Sequence, residues 1–269
     1  MTLAIPKPGQ EPSVAEGVRI SRPGNHVLLI TIDRPAVRNA MDAATGALIH
    51  GVVTAMESDG SLLVGVITGT GTTFCAGADL REMRAGRDVR VPRPGGFAGF
   101  VETPRTKPWI AALNGPAWGG GTELTIACDM CVAADTATLA LTEARLGLVA
   151  LSGGVVGLPR RIGRNVAIEA VLTGEPITAA RAHQLGLVNH VVPASDVLER
   201  ALRLAETIAR NSPDAVKLSL RLARASGFAS EEEVLKMNIA AREDLMRSPD
   251  FVEGPRAFLE KRPPKWARD

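Results

Sequence analysis

Two kinds of hydrophobic spacing alternate through the first two thirds of the chain. Val18–Ile32, VRISRPGNHVLLITI, is two apolar stretches parted by Pro23, Gly24 and Asn25, which predicts two strands around a turn. Met41–Met56, MDAATGALIHGVVTAM, has helical spacing with Asp42 placed to cap its start. Leu62–Gly69, LLVGVITG, is almost continuously apolar, as a fully buried strand is. It opens into TGTTFCAGAD, followed by a short helix at Leu80–Arg84 and a basic, Gly/Pro-rich loop at Ala85–Gly96, the most mobile segment expected within the body. KPWIAALNG reads as a further strand, a helix begins at Gly119, DMCVAADTATLAL gives two short strands, and TEARLGL turns into a short helix. This order predicts an α/β body with crossover connections.

The pattern changes after Val192. From Asp196 onward there are helical patterns and no good strand: VLERALRLAETIAR, PDAVKLSLRLARAS, EEEVLKMNIAAREDLM and DFVEGPRAFLEK. Ser230 and Glu233 have the spacing of a capping box. The apolar stripes of these helices need a surface, from the body or from a neighbouring subunit. Three regions follow: a flexible arm (residues 1–16), an α/β core (17–195) and a helical region (196–269).

Composition narrows the possibilities. A net charge of +2, from 31 basic and 29 acidic residues without long blocks, gives no reason to expect a nucleic-acid partner. No apolar run is long enough for a membrane span. Three cysteines and an N-terminus without a secretory apolar core point to a reduced, cytoplasmic protein. Cys128 and Cys131 form a C-x-x-C, but with no second pair or matching histidine spacing they read as buried packing and not as a metal site. His183 and His190 read as local structure, and Cys75 has no paired base to make it a nucleophile.

The candidate chemistry lies in two glycine loops, GTTFCAGAD and NGPAWGGGTE, each after a buried strand and before a helix. Strand ends in α/β folds are common binding sites, and helix starts leave unpaired N–H groups able to face a negative charge. Gly119–Gly121 therefore fit an oxyanion-facing turn, or a tight packing turn. Neither loop has a phosphate-loop pattern. Glu123 and Glu143 follow, carboxylates that are costly in apolar segments unless paired, hydrated or used. Glu143 can pair with Arg145. If instead both face one polar space, one can accept a proton from water while the other donates a proton to the far atom.

AGADL at Ala76–Leu80, NGPAWGGGTELTIACD and TEARLGL, together with DRPAVRNAM, GEPITAARAHQLGLVNHVV and AFLEKRPPKW, resemble the enoyl-CoA hydratase/isomerase (crotonase) superfamily over nearly the whole chain. The resemblance implies a crotonase-like spiral of β-β-α units, a helical C-terminal oligomerisation region, and a homotrimer or a homohexamer made as a dimer of trimers. It implies an acyl-CoA thioester substrate, with CoA part of that substrate and no metal or other cofactor required. By motif position, Ala78 and Gly120 supply the oxyanion N–H groups, Glu123 orients and activates water, and Glu143 exchanges the proton at C2. The implied reaction is reversible hydration of a trans-2-enoyl-CoA to a 3-hydroxyacyl-CoA. Alternatives are an enoyl-CoA isomerase, a specialised carnitinyl-CoA-like dehydratase, and a non-catalytic acyl-CoA-binding protein. CoA is expected against Arg38, Ala40, Ala76, Asp79, Leu80 and Arg81, with Lys261 and Lys265 as further contacts, from an adjoining subunit in one reading. Three departures bear on the acyl pocket: Ala150 and Leu151 where proline and glycine are common, TEAR in place of a PE beginning, and Pro116 before the GGG run. Trp118 is either a packing residue or a pocket wall.

Overall fold

The apolar runs assemble into one large sheet and one small one. The computed structural model describes residues 3–267; the first two residues of the expected arm and the last two of the helical region lie outside the described residues. The strands are β1 (Ser13–Ala15), β2 (Gly17–Ser21), β3 (Val27–Asp33), β4 (Val64–Gly69), β5 (Trp109–Leu113), β6 (Ala117–Trp118), β7 (Met130–Ala134), β8 (Thr138–Ala140), β9 (Ile177–Thr178) and β10 (His190–Val192). Seven pair in the order β1-β2-β3-β4-β5-β7-β10, and β6-β8-β9 form a small second sheet. The first two pairings are antiparallel and the rest of the large sheet is parallel, with Ile30 beside Ile67 and Ile67 beside Ala111. β4 and β5 are buried along nearly their whole length, so both faces of the sheet are covered.

The helices are α1 (Ala43–Ser58), α2 (Leu80–Arg84), α3 (Gly120–Ala127), α4 (Gly154–Arg161), α5 (Arg164–Thr173), α6 (Ala179–Gln184), α7 (Val197–Ala209), α8 (Pro213–Ala225), α9 (Glu231–Arg247) and α10 (Pro249–Leu259). This is the α/β fold of repeated β-β-α units with a helical C-terminal region. Asp42 caps α1 by accepting from Thr45 N at 2.8 Å. Ile49, Val52, Val53 and Met56 then form its buried stripe. Ser230 and Glu233 form the reciprocal capping box of α9. Ala201, Ala205 and Ala209 of α7 are buried at i, i+4 spacing, and the absence of bulk lets this helix lie close on β4, β5 and β7.

Sequence alone places Ser13–Ala15 in a flexible arm; instead they form β1 on the edge of the large sheet, and Leu3 joins the core. Backbone pairing with β2 supplies what three residues of weak pattern do not. The Ala85–Gly96 loop is tied at several points: Val89 is buried, Val91 pairs with Gly96, and Arg87 grips Glu82 through two nitrogens.

The later helices are held differently. In α8 only Pro213 is buried, yet Arg224 reaches the body with both Nε and Nη2 at 2.7 Å from the Asp129 carboxylate. It also donates to the carbonyls of Arg105 and Lys107. Beyond this latch, α9 and α10 expose Leu235, Ile239, Met246, Phe258 and Leu259. Among the described residues, no helix is long and apolar enough to cross a membrane.

Candidate active site

The two glycine loops leave neighbouring strands of the parallel sheet and are locked together by backbone. Phe74 N donates to Pro116 O at 3.0 Å, and Trp118 N donates to Cys75 O at 2.9 Å. Pro116 thus contributes its carbonyl as the acceptor for the first loop, a role that does not by itself require proline. Two asparagines clamp the first loop: Asn39 donates to the carbonyls of Thr70 and Thr73, and Asn114 donates to Gly71 O. Asn39 is fully buried with φ of 57°, a backbone region that asparagine tolerates better than most residues. Sequence reasoning passed over both asparagines; the Asn114–Gly115 turn and the Asn39 that directly precedes the apolar Ala40 and Met41 were the available signals.

Each of the three glycines is required for a different reason. Gly119 has φ of 54°, and a Cβ there would lie 3.3 Å from Glu143 Oε1. At Gly120 a Cβ would lie 2.3 Å from Phe97 Cζ, and at Gly121 2.1 Å from Cys75 O. Gly77, with φ of 96°, brings the first loop so close that a Cβ would lie 3.1 Å from Gly120 N.

Two amides at this junction are left unspent. Met41 N donates to Gly77 O and Asp79 N donates to Met41 O, both at 2.8 Å. Because a trans peptide points its C=O and N–H in opposite directions, the Ala78 N–H faces away from Met41. Gly119 O accepts from Thr122 N and Glu123 N, so the Gly120 N–H faces outward from the start of α3. Among the described residues, neither N–H donates to a protein acceptor.

Ala78, Gly120, Glu123 and Glu143 all line one cavity of about 940 Å³. Glu123 is 4% exposed, and its Oε1 accepts from Gly154 N at 3.0 Å, at the first turn of α4. Burial is the largest cause of its pKa rising to about 7; the like charge of Glu143 adds to the rise, and the Gly154 N–H opposes it. Glu143 lies in a short helical turn, with Oε2 buried and without a protein partner. Burial raises its pKa too. Arg145 is directed elsewhere, to the Thr173 carbonyl and the Glu175 carboxylate, so it does not neutralise Glu143.

Arg38, Ala40, Ala76, Asp79, Leu80 and Arg81 line the same cavity. Asp79 has structural partners of its own: it caps α2 through Arg81 N at 3.1 Å and faces the Arg34 guanidinium at 3.5 Å. Lys261 and Lys265 are not among the lining residues of this chain; Lys265 N is held by Glu253 Oε1 at 2.7 Å. Trp118 donates its indole N–H to Thr138 and does not line the cavity. His183 and His190 bond locally, to Val188 O and to Arg200. The cysteines are free and buried, and burial raises the thiol pKa of Cys75 to about 12. Among the described residues, no group of three or more His, Cys, Asp or Glu side chains is placed to hold a metal ion.

The same folded arrangement recurs in known proteins. The profile of the enoyl-CoA hydratase/isomerase family matches residues 22–269. The chain belongs to the crotonase superfamily. Within this superfamily it is 39% identical to the mevalonyl-coenzyme A hydratase of Aspergillus fumigatus, over 93% of this chain and 95% of that protein. It is 41% identical to the carnitinyl-CoA dehydratase of Proteus mirabilis, over 89% and 94% of the two. The crystal structure of enoyl-CoA hydratase EchA1 from Mycobacterium marinum superposes with a TM-score of 0.90 at 38% identity, covering 94% of this chain and 99% of that one. As a crotonase-superfamily member of hydratase/lyase type, the chain is an enzyme. Its departures from the superfamily pattern fall beside Glu123 and at the rim: Ala150 packs under Gly154, whereas Leu151 is 75% exposed at the cavity mouth.

Proposed function

We propose that the cavity catalyses reversible hydration of a trans-2-enoyl-CoA to a 3-hydroxyacyl-CoA. The observation that carries this reading is the convergence of two carboxylates without a cationic partner, Glu123 buried and Glu143 half-buried, with two unspent N–H groups on one cavity. The thioester oxygen accepts from Ala78 N–H and Gly120 N–H, which stabilise the negative charge it gains as C3 is attacked. Ionised Glu123 takes a proton from water, and the resulting oxygen nucleophile bonds to C3. Protonated Glu143 gives its proton to C2, and the enolate collapses to the saturated thioester. One proton has left Glu123's water and one has left Glu143, so a proton returns from Glu123 to Glu143 to complete the cycle. Burial raises the proton affinity of both carboxylates, that of Glu123 up to about 7, so the pair can hold a proton near neutrality; hydration starts from the form in which that proton sits on Glu143 and Glu123 is ionised.

CoA is placed along Arg38, Ala40, Ala76, Leu80 and Arg81, with Asp79 shaping the turn and Lys261 and Lys265 reaching it from an adjoining subunit. The exposed apolar residues of α9 and α10 support an oligomeric assembly of trimer or hexamer type. A second reading keeps the chemistry and changes the acyl group: Asp88 and Arg90 also line the cavity, which favours a polar acyl chain of the kind named in the carnitinyl-CoA and mevalonyl-CoA relatives.

The test follows loss of the conjugated thioester absorbance with crotonyl-CoA, longer trans-2-enoyl-CoAs and enoyl-CoAs bearing polar acyl groups. Glu123→Gln and Glu143→Gln are each expected to lower kcat by about 10²–10⁴-fold with the fold intact. Full activity in either variant refutes the two-carboxylate mechanism. Turnover of a 3-enoyl-CoA alone favours isomerisation, and binding without any turnover favours an acyl-CoA-binding protein.

A further inference from the structure

We propose that Phe97 is a positioning residue for the reaction: its ring fixes Gly120, and glycine is required at position 120 because of that ring. The inference rests on the assignment of Gly120 as an oxyanion donor. Position 120 has no backbone need for glycine, since its φ lies outside the left-handed region. It is the first residue of α3, where alanine is the better helix former. What excludes a side chain is one neighbour. The three atoms nearest to a Cβ at 120 are Phe97 Cζ at 2.3 Å, Cε1 at 2.6 Å and Cε2 at 2.8 Å. The end of the ring therefore bears on the Gly120 Cα.

Phe97 is held there by an over-determined turn. Gly96, Ala98 and Gly99 have φ of 66°, 55° and 62°. For fully buried Ala98 this is a region that side chains rarely adopt, and such strain persists only where surroundings enforce it. The enforcement comes from α1: a Cβ at Gly99 would lie 1.9 Å from Gly46 O, so loop and helix backbones are in contact. Phe97 O accepts from Phe100 N and Val101 N, which closes the turn behind the ring. Phe97 is 3% exposed and lines the cavity, so its ring covers one flank of the Gly120 amide. The Gly119–Gly120 peptide is oriented by Thr122 N and Glu123 N on Gly119 O, so the Gly120 N–H moves with the start of α3, and its place in the cavity depends on what packs against that helix. That support is Cys75 O under Gly121 and the Phe97 ring on Gly120.

The experiment is a double-substitution cycle with Gly120→Ala, Phe97→Leu and the two together. Leucine retains apolar bulk and lacks the ring end that meets position 120; Phe97→Met repeats the cycle should Phe97→Leu fail to fold, judged by circular dichroism and melting. Two readouts are taken: kcat and KM for crotonyl-CoA, and the ultraviolet enolate band of bound acetoacetyl-CoA, which reports oxyanion stabilisation without turnover. Gly120→Ala is expected to lose about 100-fold in kcat and Phe97→Leu about tenfold, with KM little changed and the enolate band weakened in both. The double variant is expected to recover about tenfold over Gly120→Ala and to regain part of the band, because the added methyl then has room. Losses that multiply in the double variant, or a Gly120→Ala enzyme with full kcat and band, overturn the proposal. An unsubstituted enzyme that shows the band and hydrates no enoyl-CoA refutes the hydration reading alone. One that binds acetoacetyl-CoA without the band refutes the oxyanion role of Gly120 and the role of Phe97 with it.

Discussion

Replacing Glu123 by glutamine is expected to inactivate the enzyme and to stabilise it at the same time. Burial raises the Glu123 pKa from 4.5 to about 7, so the folded protein favours the protonated side chain. For a group raised in the folded state, the associated stability is complete below the unfolded pKa and is lost as pH climbs through the folded one. At about 1.4 kcal/mol per pH unit, the wild type loses about 3 kcal/mol from this side chain between pH 4.5 and about 7. Glutamine does not titrate, and its carbonyl oxygen can still accept from Gly154 N. The two proteins should therefore melt together near pH 5 and diverge above it. By pH 8 the variant should melt higher by about 6 °C, given the entropy of unfolding of a chain this long. Removing the like charge also lets Glu143 ionise more readily, which changes its proton donation as well. The assay is thermal unfolding of both proteins from pH 5 to pH 8.5, with kcat measured on the same samples. Melting curves that stay parallel across this window would refute the argument that Glu123 carries a charge against its surroundings, whatever the activity shows.

Three further outcomes are expected. Gly121→Ala should yield little folded protein, because its Cβ would lie 2.1 Å from the Cys75 carbonyl and neither backbone can yield alone; a soluble variant with wild-type melting refutes this packing. Arg224→Met should destabilise by about 2 kcal/mol, the value for a buried ion pair reduced because Arg224 is one third exposed, and limited proteolysis should then cut first near α8. Unchanged urea unfolding would count against the latch. Arg38→Ala and Arg81→Ala should each raise KM for acyl-CoA severalfold and leave kcat nearly unchanged, since both residues line the cavity and neither is assigned a part in the proton transfers; a loss confined to kcat would remove them from the CoA site.

Much of this architecture is legible from local pattern, and what escapes does so for identifiable reasons. Continuous apolar runs mark β3, β4 and β5, and Asp42 and Ser230 mark the starts of α1 and α9 because a capping side chain is a short-range signal. α4 gives no such signal: it begins after Gly153, has no side-chain cap, and contains Gly157 and Pro159. Yet its first amide holds Glu123 across 31 residues of sequence. Glu123, Glu143 and the two amide positions are visible through motif resemblance, which cannot reveal that Arg145 turns away to Glu175. Phe97 is hidden for another reason. Its role depends on a left-handed alanine and a backbone contact with α1, neither of which leaves a periodic trace.

The Arg224 latch has a consequence for the order in which the molecule is made. Asp129 lies in the turn into β7, and its partner comes 95 residues later in the chain. On a ribosome the body's strands emerge while that partner does not yet exist, and domains form as their residues become available. Among the described residues, the other hydrogen bond to the Asp129 carboxylate comes from Trp109 N, within the body itself. Closing of the latch therefore marks near-completion of synthesis. Helices that expose Leu235, Ile239 and Phe258 become fixed in place only once the body beneath them has formed.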